Sequence, residues 1–214
     1  MTTPSSKRTT VRRGADRAVY DTTTIREILK AGMVAHMGVQ TPDGPLVLPM
    51  SYGLDEANIY LHGALANHLL GSGGGAEVCV TVTHLDGLVM ARTPFNNSMN
   101  YRSVVIRGVA TKIVDREEKL RALKIITDHV VPNWDMARPP SEIEERSTLV
   151  VSVPLAEASA KIRTGDSVDE TPDIEGPWWA GVIPIETVIG APIPAANLPS
   201  DVSPTPPYPT PPFL

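Results

Sequence analysis

Hydrophobic residues along the chain change period several times, and each change marks an element. Ile25, Ile28 and Leu29 recur at helical spacing behind Asp21 and the threonines at 22–24, with Glu27 three after Thr24 and Gly32 as a stop. That capping pattern predicts a short helix over 23–31. Period-two alternation then predicts strands over 33–40 and 46–52, joined by the turn Thr41-Pro42-Asp43-Gly44-Pro45, where Gly44 takes positive φ cheaply. Residues 58–62 read as a third strand, with Ile59 and Leu61 on one face, and 64–70 as a short helix.

Residues 77–83 and 88–93 predict a second hairpin around His84-Leu85-Asp86-Gly87, and 101–114 one long strand with Gly108 as a bulge. Asp115 and Glu118 frame a helix start, with Leu120, Leu123, Ile126 and Val130 on one face. A helical turn is expected at 141–146, a strand from 149 continuing beyond Pro154 towards Lys161, and a last strand over 178–188. Short strands, tight hairpins and three convincing helices make a mainly β protein: an antiparallel barrel with helices over its ends.

Composition narrows this to one domain with tails. Residues 1–13 carry Lys7, Arg8, Arg12 and Arg13 and no acid, which predicts a disordered basic arm of +4 on a chain of net charge −5. Residues 190–214 are dominated by proline and predict an extended tail that cannot build a core. The barrel domain is expected over 14–189. Ten aromatic residues and the acidic balance argue against a nucleic-acid partner. No run approaches the ~18 apolar residues of a membrane span, and no apolar stretch follows the basic arm, so a soluble, cytoplasmic protein is expected. The single cysteine, Cys79, allows no internal disulfide and reads as an inert core thiol among Val78, Val80 and Val82.

Several chemistries are missing. His62 and His68 stand six apart, a spacing that suits no shared metal site, and no metal is expected. There is no G-x-S-x-G elbow and no dinucleotide fingerprint opening a βαβ unit. The glycine run 71–75 follows a helix rather than opening one, so it reads as a connector and not a phosphate loop. One constellation remains. Leu48-Pro49-Met50-Ser51-Tyr52 is a strand interrupted by proline, which leaves an edge of backbone groups facing something other than a central neighbour. Close behind it, His62-Gly63 leads into a helix start bearing Asn67 and His68, donors suited to an anion. The pair would suit a planar polar ring with a phosphate; it would equally describe an ordinary sheet edge and a polar helix start.

At these residues the chain resembles a family. Leu48-Pro49-Met50-Ser51-Tyr52, Ile59-Tyr60-Leu61-His62-Gly63 and Asn100-Tyr101-Arg102-Ser103-Val104-Val105 are similar to motifs of the pyridoxamine 5′-phosphate oxidase-like FMN-binding split-barrel proteins, in particular the nitroimidazole resistance branch. Further likeness lies at Asp86-Gly87-Leu88, at Ala160-Lys161-Ile162-Arg163 and at Trp179-Ala180-Gly181, so the resemblance runs from about Arg12 to about Pro194. It implies a six-stranded antiparallel split β-barrel with a few flanking helices, a homodimer, and FMN at the subunit interface. Leu48, Pro49, Met50, Ser51 and Tyr52 would lie along the ring through backbone contacts, with His62 and Gly63 near the ribityl chain and Asn67 and His68 at the phosphate. Ser98, Tyr101 and Ser103 would approach from the next strand, and Lys161 and Arg163 from the late strand or the second subunit. Trp178 and Trp179 would be core or interface anchors.

The implied activity is an FMN-dependent oxidoreductase acting on a small organic or nitroaromatic substrate through flavin N5. A non-catalytic flavin-nucleotide or haem binding protein and an F420-dependent reductase are the alternatives on this fold. His36, Tyr101 and Arg102 are the ionisable groups that could serve the chemistry. The chain departs from the family where Asn67 and His68 replace a fixed cation at the phosphate, a change worth on the order of 1.5–3 kcal/mol. Asn96 and Asn97 stand where relatives often carry histidines, and no late Arg-x-His is present, which argues against vitamin B6 oxidation.

Overall fold

In the computed structural model, residues 3–63 and 75–207 are described. The helix expected at 64–70, most of the 71–75 connector, Asn67 and His68 lie outside them. A first short strand, β1, spans Ala18–Val19, and helix α1 spans Thr22–Lys30. Its cap is Asp21, whose carboxylate accepts from the Thr24 amide at 2.8 Å, so the helix starts one residue earlier than the expected 23–31.

Six strands close a ring. They are β2 (Val34–Thr41), β3 (Gly44–Leu54), β4 (Asn58–Gly63), β5 (Ala76–Met90), β6 (Ser98–Lys112) and β7 (Leu149–Pro154). The order around the ring is β6, β7, β4, β3, β2, β5 and back to β6, all antiparallel. This is the split barrel that the motifs imply. Alternation fills its interior: Ala35, Met37 and Val39, Val78, Val80 and Val82, and Val104 and Ile106 are all buried, and Ile25, Ile28 and Leu29 of α1 join them. Helix α2 (Arg116–Val130) lies outside the ring, where Ala122 and Ile126 pack on Tyr60, Ile113 and Val150. Its buried face is centred on those two residues, with Leu120 and Val130 at its margins. A capping box at Ser141 starts helix α3 (Glu142–Ser147) where a helical turn was expected.

Four expectations need correction. The hairpin expected over 77–93 is instead the single strand β5, paired with β6 from Ala76 to Val89 with a register shift between Leu85 and Gly87. Asp86 is the extra residue of that bulge, so a turn-like pair of residues marks a kink rather than a reversal. Gly108, expected to be the bulge, pairs in register with Val78; its lack of a side chain answers a close neighbour, since a Cβ would stand 3.1 Å from Val153 Cγ1. The expected last strand contracts to β9, Gly181–Pro184, on the edge of β5, while Trp178 and Trp179 are 57% and 61% exposed and anchor no core. Cys79 is not a core thiol: with Val78 and Val80 turned inward, the pleat turns it outward between Gly38 and Arg107.

The strand from 149 does continue past Pro154, but it changes partner. A 3-10 turn at Leu155–Glu157 separates β7, which pairs with β4, from β8 (Ala158–Arg163), which pairs with β6. Residues 3–13 lie against the barrel: Thr9 is 4% exposed, and Arg8 pairs with Glu157 at 2.6 Å and Glu77 at 3.3 Å. The described part of the proline-rich tail, 190–207, has no helix or strand.

Candidate cofactor site

Two edges of β3 are treated differently by the fold. β2 accompanies it from Gly44 to Ser51, but β4 pairs with it only at Tyr52, Gly53 and Leu54. Among the described residues, 46–50 are thus paired on one side and open on the other. Alternate residues of an antiparallel ladder turn their N–H and C=O to opposite sides. About half of the backbone groups here therefore face the opening, and Pro49 fits because a strand beside a gap tolerates a missing N–H.

The end of that gap is marked by His62 and Ser51, whose Nε2 and Oγ lie 3.2 Å apart. Burial lowers the His62 imidazole below its ordinary pKa, so it is neutral at pH 7. Gly63 follows, close to Met50: a Cβ on it would stand 3.3 Å from the Met50 Cε. Tyr52, by contrast, points away from the opening. It is fully buried, and its hydroxyl donates to the Leu29 carbonyl at 2.5 Å. The structure therefore brings Leu48, Pro49, Met50, Ser51, His62 and Gly63 together, with only the backbone of Tyr52 beside them.

The remaining site residues form a second group. Across β6 and β8, Tyr101 pairs with Arg163 and Ser103 with Lys161, while Ser98 lies further along opposite Val89 of β5. The two cations are engaged within the chain. Arg163 is 7% exposed and donates to Asn100 Oδ1 at 2.5 Å, to the Gly165 carbonyl at 3.3 Å and to the Asp166 carbonyl at 3.0 Å. Lys161 Nζ donates to the Arg13 carbonyl at 2.8 Å. Along the sheet, β2 and β5 separate this group from β3, a distance of about 14 Å to β6 and about 19 Å to β8 at the usual strand spacing.

A cavity of about 510 Å³ adjoins the outer side of β2, and sequence reasoning did not find it. It is walled by Val34, Val82, Leu85, Ile185 and Ile189 and carries His36, His84, Asp86 and Arg102. Asp86 accepts from Arg102 Nε and Nη2 at 2.9 and 2.8 Å, and this fork raises the guanidinium pKa. His84 is committed to the Ile28 carbonyl, 2.9 Å from its Nε2. His36 and Arg102, two of the three groups named for chemistry, both border it, from different strands; Tyr101 is not among the lining residues. The Asp86-Gly87 bulge builds the cavity, and the same dipeptide had read as a turn. Among the described residues no three His, Cys, Asp or Glu side chains cluster as a metal site, and no helix is long and apolar enough to cross a membrane.

Comparison with known proteins places the chain. It is similar to the flavocytochrome Anf3 from Azotobacter vinelandii, with 37% identity, 94% of each chain covered and a TM-score of 0.88. It is also similar to the FAD and heme binding protein from Mycobacterium smegmatis, with 28% identity over 89% of this chain and 94% of that one and a TM-score of 0.82. A candidate 5-nitroimidazole antibiotic resistance protein from Bacteroides thetaiotaomicron shows 26% identity over 68% of this chain and 86% of that one, with a TM-score of 0.57. No curated protein matches the sequence. The family model described as pyridoxamine 5′-phosphate oxidase matches residues 21–162. The chain belongs to the pyridoxamine 5′-phosphate oxidase family.

Proposed function

We propose that the chain is a flavin-binding redox protein that lays the flavin ring along the open edge of β3 and works as a homodimer. The open edge at 46–50 carries this reading. The pyrimidine side of a flavin presents a row of donors and acceptors, which suits backbone N–H and C=O groups fixed by the β2 ladder. Ser51 and His62 close one end of the row and orient whatever lies there. FMN is the nucleotide the motifs imply; FAD, named for one relative, shares its ring and first phosphate. A bound flavin supplies hydride and electron transfer through N5. The chain's own part is to bind and orient the ring and to keep water from it.

The two groups of site residues stand about 14–19 Å apart along one sheet, and the cations of the second are tied within the chain. One nucleotide draws on both groups most simply when a second copy supplies one of them, which supports the homodimer. The substrate is a small organic or nitroaromatic molecule, and the activity that of an oxidoreductase in the cytoplasm. The likeness to a flavocytochrome favours a second reading, in which the chain also carries haem.

Absorbance spectroscopy during titration of the purified protein with FMN and with FAD tests both. One flavin bound per chain is expected, and its loss in His62→Glu while Lys112→Glu still binds. Failure of both nucleotides to bind refutes the flavin reading, and a Soret band after adding haem supports the second.

A further inference from the structure

The N-terminal arm carries cations that the fold holds in place but does not use. Residues 3–13 are fastened to the barrel along their length. Thr9 is buried, Arg8 pairs with Glu157 and Glu77, the Val11 amide donates to the Tyr20 hydroxyl at 2.8 Å, and the Arg13 carbonyl accepts from Lys161 Nζ at 2.8 Å. Lys7, Arg12 and Arg13 are nevertheless exposed, and their side chains have no ion-pair or hydrogen-bond partner among the described residues. Arg17 adds a fourth cation, only loosely met by Asp16 at 3.8 Å. Along α2 and α3 the cations are taken instead: Arg116 by Glu145, Arg121 by Asp55, Lys124 by Asp128 and Asp135, and Arg146 by Glu142. A fixed basic strip on a chain of net charge −5 makes the molecule strongly dipolar, and such a strip steers and orients an acidic partner.

We propose that this strip docks a small acidic electron-carrier protein of the ferredoxin class. Lys7 and Arg13 are six residues apart, so their Cα atoms lie within about 22 Å, inside the roughly 30 Å breadth of one standard protein interface. A nucleic acid would run from the strip onto the acidic remainder of the chain, and residues 3–19 hold no aromatic side chain for a base to stack on. Membrane docking lacks an apolar anchor, since Val11, the arm's one large apolar side chain, is half-buried. The strip ends at Lys161, in the second group of site residues, so a carrier seated on it stands beside them. Docking itself needs no flavin. The carrier's use as a reductant rests on the flavin reading: two carriers each lose one electron, and two protons come from water, for each two-electron reduction.

Isothermal calorimetry of the full chain against a plant-type [2Fe–2S] ferredoxin tests the docking. A complex is expected at about 50 mM salt, and at least tenfold weaker binding at about 300 mM. Lys7→Glu, Arg12→Glu and Arg13→Glu combined should weaken it at least tenfold, while Lys112→Glu leaves it as it is. Should that triple reversal unfold the chain, Lys7→Gln, Arg12→Gln and Arg13→Gln combined should still weaken it severalfold. Flavin titration of the same proteins separates the two ideas. Ferredoxin binding by a chain that takes no flavin leaves the docking standing and sinks the flavin reading, whereas flavin binding without a ferredoxin complex does the reverse. Tighter binding to a DNA duplex of about 20 base pairs or to phosphatidylserine vesicles than to the ferredoxin overturns the assignment. So does unchanged affinity in a folded triple variant.

Discussion

The hydroxyl of Tyr52 donates to the Leu29 carbonyl across 2.5 Å and so joins the site strand to the end of α1. Burial pushes this phenol far above its ordinary pKa, so it stays protonated as a donor throughout the physiological range. The Leu29 carbonyl also accepts from the Gly32 and Ala31 amides, so removing the hydroxyl does not leave it unpaired. Tyr52→Phe should then cost about 1 kcal/mol of stability and leave flavin affinity unchanged. Urea unfolding and flavin titration measure the two. A large loss of flavin binding without destabilisation would mean that the side chain, and not only the backbone, serves the site.

Gly53 is where α2 rests on β3. A Cβ there would stand 2.5 Å from the Ile125 carbonyl oxygen and 2.7 Å from the Ile126 amide nitrogen, both backbone atoms that cannot swing aside. Gly53→Ala should destabilise by about 1–3 kcal/mol, since the helix must lift from the barrel. The midpoint of thermal unfolding reads this out, and an unchanged midpoint contradicts the packing described.

Much of the fold was legible because its determinants are local. Asp21, Asp115 and Ser141 cap helices within three residues, and Val78, Val80 and Val82 announce their inward face by alternation alone. Asp86-Gly87 misled because a turn and a bulge use the same residues, and only the partner strand decides which forms. In the site, Pro49 disclosed the open edge. The meeting of His62 with Ser51, 11 residues apart, and the capture of Arg163 by Asn100, 63 residues away, both depend on strand register. Neither leaves a mark in the local sequence.

Acid should weaken the protein in two steps. Burial lowers both His62 and His129 below the ordinary value of 6.5, the latter despite its contact with the Gly32 carbonyl. The unfolded chain then takes up protons first, so stability present above pH 6.5 falls as pH drops through the folded-state values. Asp55 supplies the second step. Burial alone would raise its pKa, but donors from Tyr60, the Ala57 and Asn58 amides and Arg121 bring it down to about 2. Its contribution is present above the ordinary 3.8 and is lost towards pH 2. Urea midpoints across pH 8 to 2 should show both, and a flat profile between pH 7 and 5 refutes the histidine assignment.

The outer face of the barrel sheet is where a second copy is expected. Val34 and Val47 are 48% and 61% exposed there, and between them and β8 lie Cys79, Thr81 and Val105, all uncharged. Val105 is flanked by Thr81 on β5 and Ser159 on β8 and points away from buried Val104 and Ile106, so a charge on it disturbs little within one chain. In a dimer packed through this face the same charge is buried without a partner, at a cost of several kcal/mol. Analytical ultracentrifugation should find two chains for the native protein and one for Val105→Asp, with flavin affinity falling at least tenfold alongside. Val114→Asp, on an 83% exposed side chain beyond the end of β6, should leave the pair intact. A native protein that sediments as one chain while binding flavin fully would show that one copy completes the site, and the separation of about 14–19 Å between its two groups would then have to be bridged by the nucleotide itself.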